Sequence, residues 1–144
     1  MNKEKFLESN LNILELEGNF GTGSAELEQF MEWDNSYSYN GGLADINTLE
    51  DDAPKKKFKD DFSLKMKREF REFLCEDSAK YSGIWKQLEA LEDKSTMAIV
   101  SLISSGIGSE MGIAAGILSG LISIMLHSFL KIGKEIFCKQ LSES

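Results

Sequence analysis

The chain is poor in the residues that metal and nucleophilic chemistry need. Among 144 residues there is one histidine, His127, and there are two cysteines, Cys75 and Cys138. With no second histidine and no metal-ligand spacing among the carboxylates, metal catalysis has no specific support. Two cysteines are too few for a disulfide framework, and their wide separation matches no metal-knuckle pattern. The expectation that follows is a reduced compartment, with both cysteines serving as small buried hydrophobes. Cations are also scarce: Lys and Arg total 16 against 24 Asp and Glu, a formal net charge of -8. Affinity for a polyanion comes mainly from cations that displace phosphate counterions, so general nucleic-acid binding is not expected. The N-terminal stretch MNKEKFLESNLNILELEGNF alternates charge with hydrophobe and lacks the apolar core of a secretory signal. The expected location is therefore cytoplasmic or membrane-associated.

Lookalikes of chemical sites are incomplete. GNFGTGS, residues 18–24, precedes a candidate helix but lacks the GK[ST] ending of a phosphate cradle, and Glu17, Glu26 and Glu28 would repel phosphate. KKKFK, residues 55–59, carries an embedded aromatic and could meet anionic headgroups, yet acidic residues flank it, and a solvated lead-in to a helix is the preferred reading. His127 and Cys138 resemble a base and a nucleophile, but on a continuous helix they would stand ~16 Å apart along the axis. Cys75 with His127 has no supporting local motif. No enzyme, cofactor or small-molecule substrate is expected.

What is present is strongly zoned. Residues 1–53 form an acidic region rich in Asn, Gly and Ser, with short helices and loops. Lys3–Leu16 fits a helix at its start and an alternating strand at its end, and the helix is preferred. Gly18–Gly23 must break it, Ser24 is a candidate N-cap for a short helix carrying Leu27, Phe30, Met31 and Trp33, and Asn40-Gly41-Gly42 is a turn signal. Pro54, the only proline, closes the zone.

Residues 54–94 carry dense charge of both signs. Phe58, Phe62, Met66, Phe70, Phe73 and Leu74 recur at three- and four-residue steps on one helical face, with Asp60 or Asp61 suited to its start. A second helix from about Ser78 places Tyr81, Ile84, Trp85, Leu88 and Leu91 on its inner stripe. The short connection favours an antiparallel amphipathic hairpin.

Residues 95–144 form the hydrophobic unit. Between Ser95 and Leu130 the only charged side chain apart from the titratable His127 is Glu110. Ser95 is the expected N-cap. Apolar residues run nearly all round, broken by Ser101, Ser105, Gly108, Gly112, Gly116, Ser119, Ser123, His127, Lys131 and Lys134. Their mean spacing is about 3.7 residues, close to the helical repeat, so on one continuous helix they form a narrow small-and-polar stripe. Gly112, Gly116 and Gly120 add a GxxxGxxxG pattern that permits close backbone approach.

The expected fold class is mainly α: an amphipathic helical hairpin plus a C-terminal hydrophobic helix or helical hairpin, with an irregular N-terminal region. Met111–Leu130 reaches the roughly 20 residues of a full span, but the lysines beyond it and the long charged N-terminal part make a simple anchor awkward. A hairpin bending near Gly106–Gly112, or a helix sheltered in a soluble form, avoids that conflict. The functional expectation is a small non-enzymatic membrane-active protein of the toxin or defence-effector type. It would self-assemble in or on a bilayer, its stripe serving for helix packing or facing a lumen, with Lys131 and Lys134 as headgroup contacts. The alternative is a soluble adaptor whose hydrophobic helices are buried in a homo-oligomer or against a larger protein.

Overall fold

A computed structural model describes residues 2–21 and 53–142, with the side chains of 53–61 and 63 left undescribed. The expected helix at Ser24–Trp33, the Asn40–Gly42 turn, and the side chains of the 55–59 run, Phe58, Asp60 and Asp61 lie outside the described residues. Seven helices and no strand occur among the described residues, so the protein is mainly α-helical.

Two short helices begin the chain, α1 over Lys3–Asn10 and α2 over Ile13–Gly18. Periodicity alone could not separate helix from strand here because the chain changes direction inside the window. Asn2 and Asn12 each cap a helix by accepting from the backbone N–H three residues on, and the Asn12 N–H is drawn aside to Thr96 Oγ1 at 2.8 Å. Leu7, Leu11 and Leu16 are the buried anchors of this region.

Helix α3 spans Ala53–Leu74, and Pro54 lies in its first turn, where the missing N–H has no intrahelical partner to lose. Its Met66, Phe70, Phe73 and Leu74 are buried, as the helical spacing requires. Helix α4, Ala79–Ala90, is capped by Ser78 and buries Tyr81, Trp85 and Leu88. Trp85 lies parallel to Phe73 at 4.7 Å between centroids and donates its indole N–H to the Phe73 carbonyl at 2.9 Å. Phe6 of α1 meets the same indole edge-on.

The hydrophobic unit is divided. Helix α5, Thr96–Met111, is capped by Ser95 and ends where Gly112 takes a left-handed conformation, φ +73°. The N–H groups of Gly112 and Ile113 both reach the Gly108 carbonyl, closing a Schellman-type stop. Helix α6, Ala115–Ile132, then folds back along α5 in the most extensive helix pairing among the described residues. The core lies where α5 and α6 meet α2, α3 and α4, around Ile99, Ile103, Ile107, Leu118, Ile122 and Leu126.

The small-residue stripe is therefore not one line on one rod. Residues before and after Gly112 belong to different helices, and a left-handed glycine resets the register between them. Gly108 has a local role: a Cβ there would run into the Ile113 carbonyl oxygen, a backbone atom fixed by the turn. Gly108→Ala should thus cost about 1–3 kcal/mol by overpacking, read as a lowered thermal midpoint. At Gly116 an added Cβ meets nothing, and Gly116→Ala should be neutral or stabilising by less than ~1 kcal/mol. Equal destabilisation at the two positions would contradict this placement.

Gly133, at φ +88°, separates α6 from the last helix, α7, Lys134–Ser142. Phe137 and Leu141 bury α7 against the bundle, with Phe137 edge-on to both Phe70 and Phe129. The cysteines correct the sequence reading. They are half-buried rather than enclosed, their Cα atoms lie 5.9 Å apart, and a disulfide joins them. Separation in sequence concealed this because it is the docking of α7 against α3 that brings Cys138 to the end of α3. The break at Gly133 also removes the continuous helix on which the His127 to Cys138 distance was reckoned.

Candidate functional site

The C-terminal half of the stripe is covered by the chain's own N-terminal segment. Just past the end of α2, buried Asn19 directs its amide nitrogen at Ser119 Oγ, 2.9 Å, and Ser123 Oγ, 2.8 Å, with the Ser119 carbonyl at 3.4 Å. The carbonyl accepts only, so it fixes which end of the Asn19 amide faces α6. Ser123 is wholly buried, as is Gly120. One turn further, His127 Nε2 lies 2.9 Å from Glu17 Oε2, and the Phe20 ring stands edge-on to the imidazole at 5.1 Å. Three successive polar positions of α6 are thereby met by the N-terminal segment, Ser119 and Ser123 by Asn19, and His127 by Glu17 and Phe20. A buried hydroxyl without a partner costs about 1–3 kcal/mol, so this seam fixes the register of α2 on α6.

The remaining predicted positions are dispersed. Ser101 and Ser105 are exposed on α5, Gly108 and Gly112 form the turn, and Gly116 faces open space. Lys131 is exposed at the end of α6, whereas the Lys134 backbone N–H points to Glu4 at 3.4 Å. The structure brings Ser119, Gly120, Ser123 and His127 together and leaves the others apart. Asn19, Glu17 and Phe20 were missed as partners. Their only signal in the sequence was a polar cluster following a short amphipathic helix.

The outer side of α6 is apolar and incompletely covered. The helix has the length and composition to cross a membrane, yet only 33% of its residues are buried. Ile124 and Ile132 are exposed on it, as is Met97 on α5. Glu110 is exposed at the end of α5 next to the turn.

A second polar cluster lies between α3 and α4. Glu69 is buried and accepts from Lys80 Nζ at 2.8 Å and Tyr81 Oη at 2.7 Å; Lys80 also lies 2.6 Å from Glu72. Burial pushes the Glu69 pKa upward, but the hydrogen bonds from Lys80 and Tyr81 outweigh it and hold the carboxyl below its ordinary value. The Lys80 ammonium is held above its usual range by the Glu69 and Glu72 hydrogen bonds, and the Tyr81 phenol is raised by burial and by Glu69. A carboxylate with a depressed folded pKa contributes stability above its unfolded value, and loses it as pH falls through the folded one. Glu69→Gln should accordingly destabilise the protein by about 2 kcal/mol at pH 7. The difference from the parent should shrink steadily below pH 4.5, the ordinary carboxyl value. Urea melts across this range check it; a pH-independent difference would contradict the charge-assisted pair.

The disulfide engages both thiols, so neither cysteine is a free nucleophile in this form. Among the described residues no group of three His, Cys, Asp or Glu is placed to hold a metal ion. No protein-family profile, curated protein or solved structure matches the chain.

Proposed function

We propose that this is a small, non-enzymatic, membrane-active helical protein, of the toxin or defence-effector type, whose α5–α6 unit engages and self-assembles on a bilayer. The observation that carries the proposal is α6 itself, a helix of spanning length and apolar on nearly every side that the bundle covers only in part. Charge along α5 and α6 supports the same reading, since before Lys131 it is confined to Glu110 near the turn and to His127 when protonated. A turn-first approach would carry one carboxylate inward and leave Lys131 at the headgroups, a tolerable distribution for a short or re-entrant hairpin.

The polar seam gives this reading a sheltered resting form. In water Asn19, Glu17 and Phe20 occupy the polar positions of α6; on the membrane, other copies of α6 or trapped water would replace them. Gly116, open in the monomer, is the natural contact for close approach between copies. The disulfide departs from the expected reduced compartment and suits oxidising surroundings.

The soluble-adaptor reading is favoured by one separate observation, the exposure of Leu14 on α2 and Ile136 on α7, outside the α5–α6 helices themselves. Cell fractionation distinguishes the two. Release from the pellet by detergent, but not by salt or carbonate, is expected for the membrane protein, and a soluble oligomer of fixed size would replace it with the adaptor. Gly116→Ile refines the test, because it should leave the monomer intact and reduce the size of the membrane-bound assembly.

A further inference from the structure

We propose that Cys75–Cys138 is a redox site, a latch opened by a dithiol reductant to free α7 and the end of α6. Three observations place it there. Both cysteines line one open cavity of about 680 Å³, together with Glu4, Gly133 and Lys134, so a reductant's thiol can approach. The bond fastens a nine-residue helix to the end of α3, and the helix has only Phe137 and Leu141 buried. So short a helix has little stability of its own. The segment it restrains begins at Gly133, the single residue between α6 and α7, held at φ +88°.

The chemistry is a two-electron exchange. One thiolate of the dithiol attacks Cys138 Sγ; the disulfide breaks, and its electron pair leaves on Cys75 Sγ, which takes a proton. The second thiol of the reductant then displaces Cys138 from the mixed disulfide. The reductant ends as a disulfide, and the protein ends with two thiols. With the bond gone, α7 rotates away about Gly133 and uncovers Phe129 and the C-terminal end of α6. This step rests on the proposal that α5–α6 meets the bilayer, and it names the trigger for that event.

Full-length oxidised protein, treated or not with dithiothreitol, supplies the test. Hydrogen exchange of residues 134–142 should quicken at least tenfold on reduction, with circular dichroism at 222 nm largely retained. Dye release from phosphatidylcholine–phosphatidylglycerol vesicles should rise at least fivefold in parallel. A Cys75→Ser/Cys138→Ser chain should match the reduced form without reductant; should it fail to fold, the reduced parent protein decides. Unchanged exchange once both thiols are titratable overturns the latch. Faster exchange with equal leakage before and after reduction overturns the gating while the membrane reading stands. Faster exchange with no leakage in either state supports the latch and overturns the membrane reading.

Discussion

Removing the Cys75–Cys138 bond, by reduction or by alanine at both positions, is expected to lower the free energy of unfolding by about 4 kcal/mol. The bond closes a loop with a sequence separation of 63, long enough for the loss of unfolded-chain entropy to dominate. Within the folded protein it holds α7, whose ordering as nine residues opposes the burial of only two large side chains. Paired urea melts of the oxidised and reduced forms measure the effect. A loss below ~1 kcal/mol would contradict the loop-closure contribution of the bond.

Trp85→Ala should cost about 3–5 kcal/mol, the range for removing a buried aromatic. Trp85 is almost fully buried and joins three helices: it stacks on Phe73 of α3, meets Phe6 of α1 edge-on, and has the Lys3 ammonium 5.4 Å from its ring. Its indole N–H satisfies the Phe73 carbonyl, which the variant leaves unpaired. No residue of α5 or α6 is altered, so a sheltered hairpin should be released more readily while its own contacts remain. The variant should therefore melt earlier in guanidinium and release vesicle contents faster than the parent. Lower stability with slower release would show that the folded bundle, rather than an opened form, is the active species.

The amphipathic helices were legible because their physics is local. Phe62 to Leu74 and Tyr81 to Leu91 bury a stripe set by the helical repeat, and the caps Ser78 and Ser95 need only the next few residues. The division of the hydrophobic unit was partly legible, since Gly106–Gly112 could be named as a bend. The spacing of the small residues nevertheless suggested continuity across it. A period near the helical repeat persists through a break when the turn happens to preserve the count, and only the positive φ at Gly112 separates the two cases. The disulfide and the Asn19–Ser119–Ser123 seam were not legible, because each joins residues far apart in sequence through tertiary docking. Glu69 was hidden for a different reason: it lies beside Phe70 on a densely charged helix, and only the neighbouring helix supplies Lys80 and Tyr81.

His127 shows how the same residue changes meaning with its surroundings. As the one histidine of an apolar run it suggested a lumen or a packing contact; in the fold it meets Glu17 and Phe20. The seam thus keeps the polar positions of α6 occupied while its apolar side remains open.

The most direct measurement is release of a self-quenched dye from anionic vesicles by the purified full-length protein, with Gly116→Ile run alongside at matched folding. The account predicts concentration-dependent release that is steeper than first order, quickened by reduction and suppressed by the isoleucine. Protein that remains monomeric and releases no dye in either redox state would contradict it.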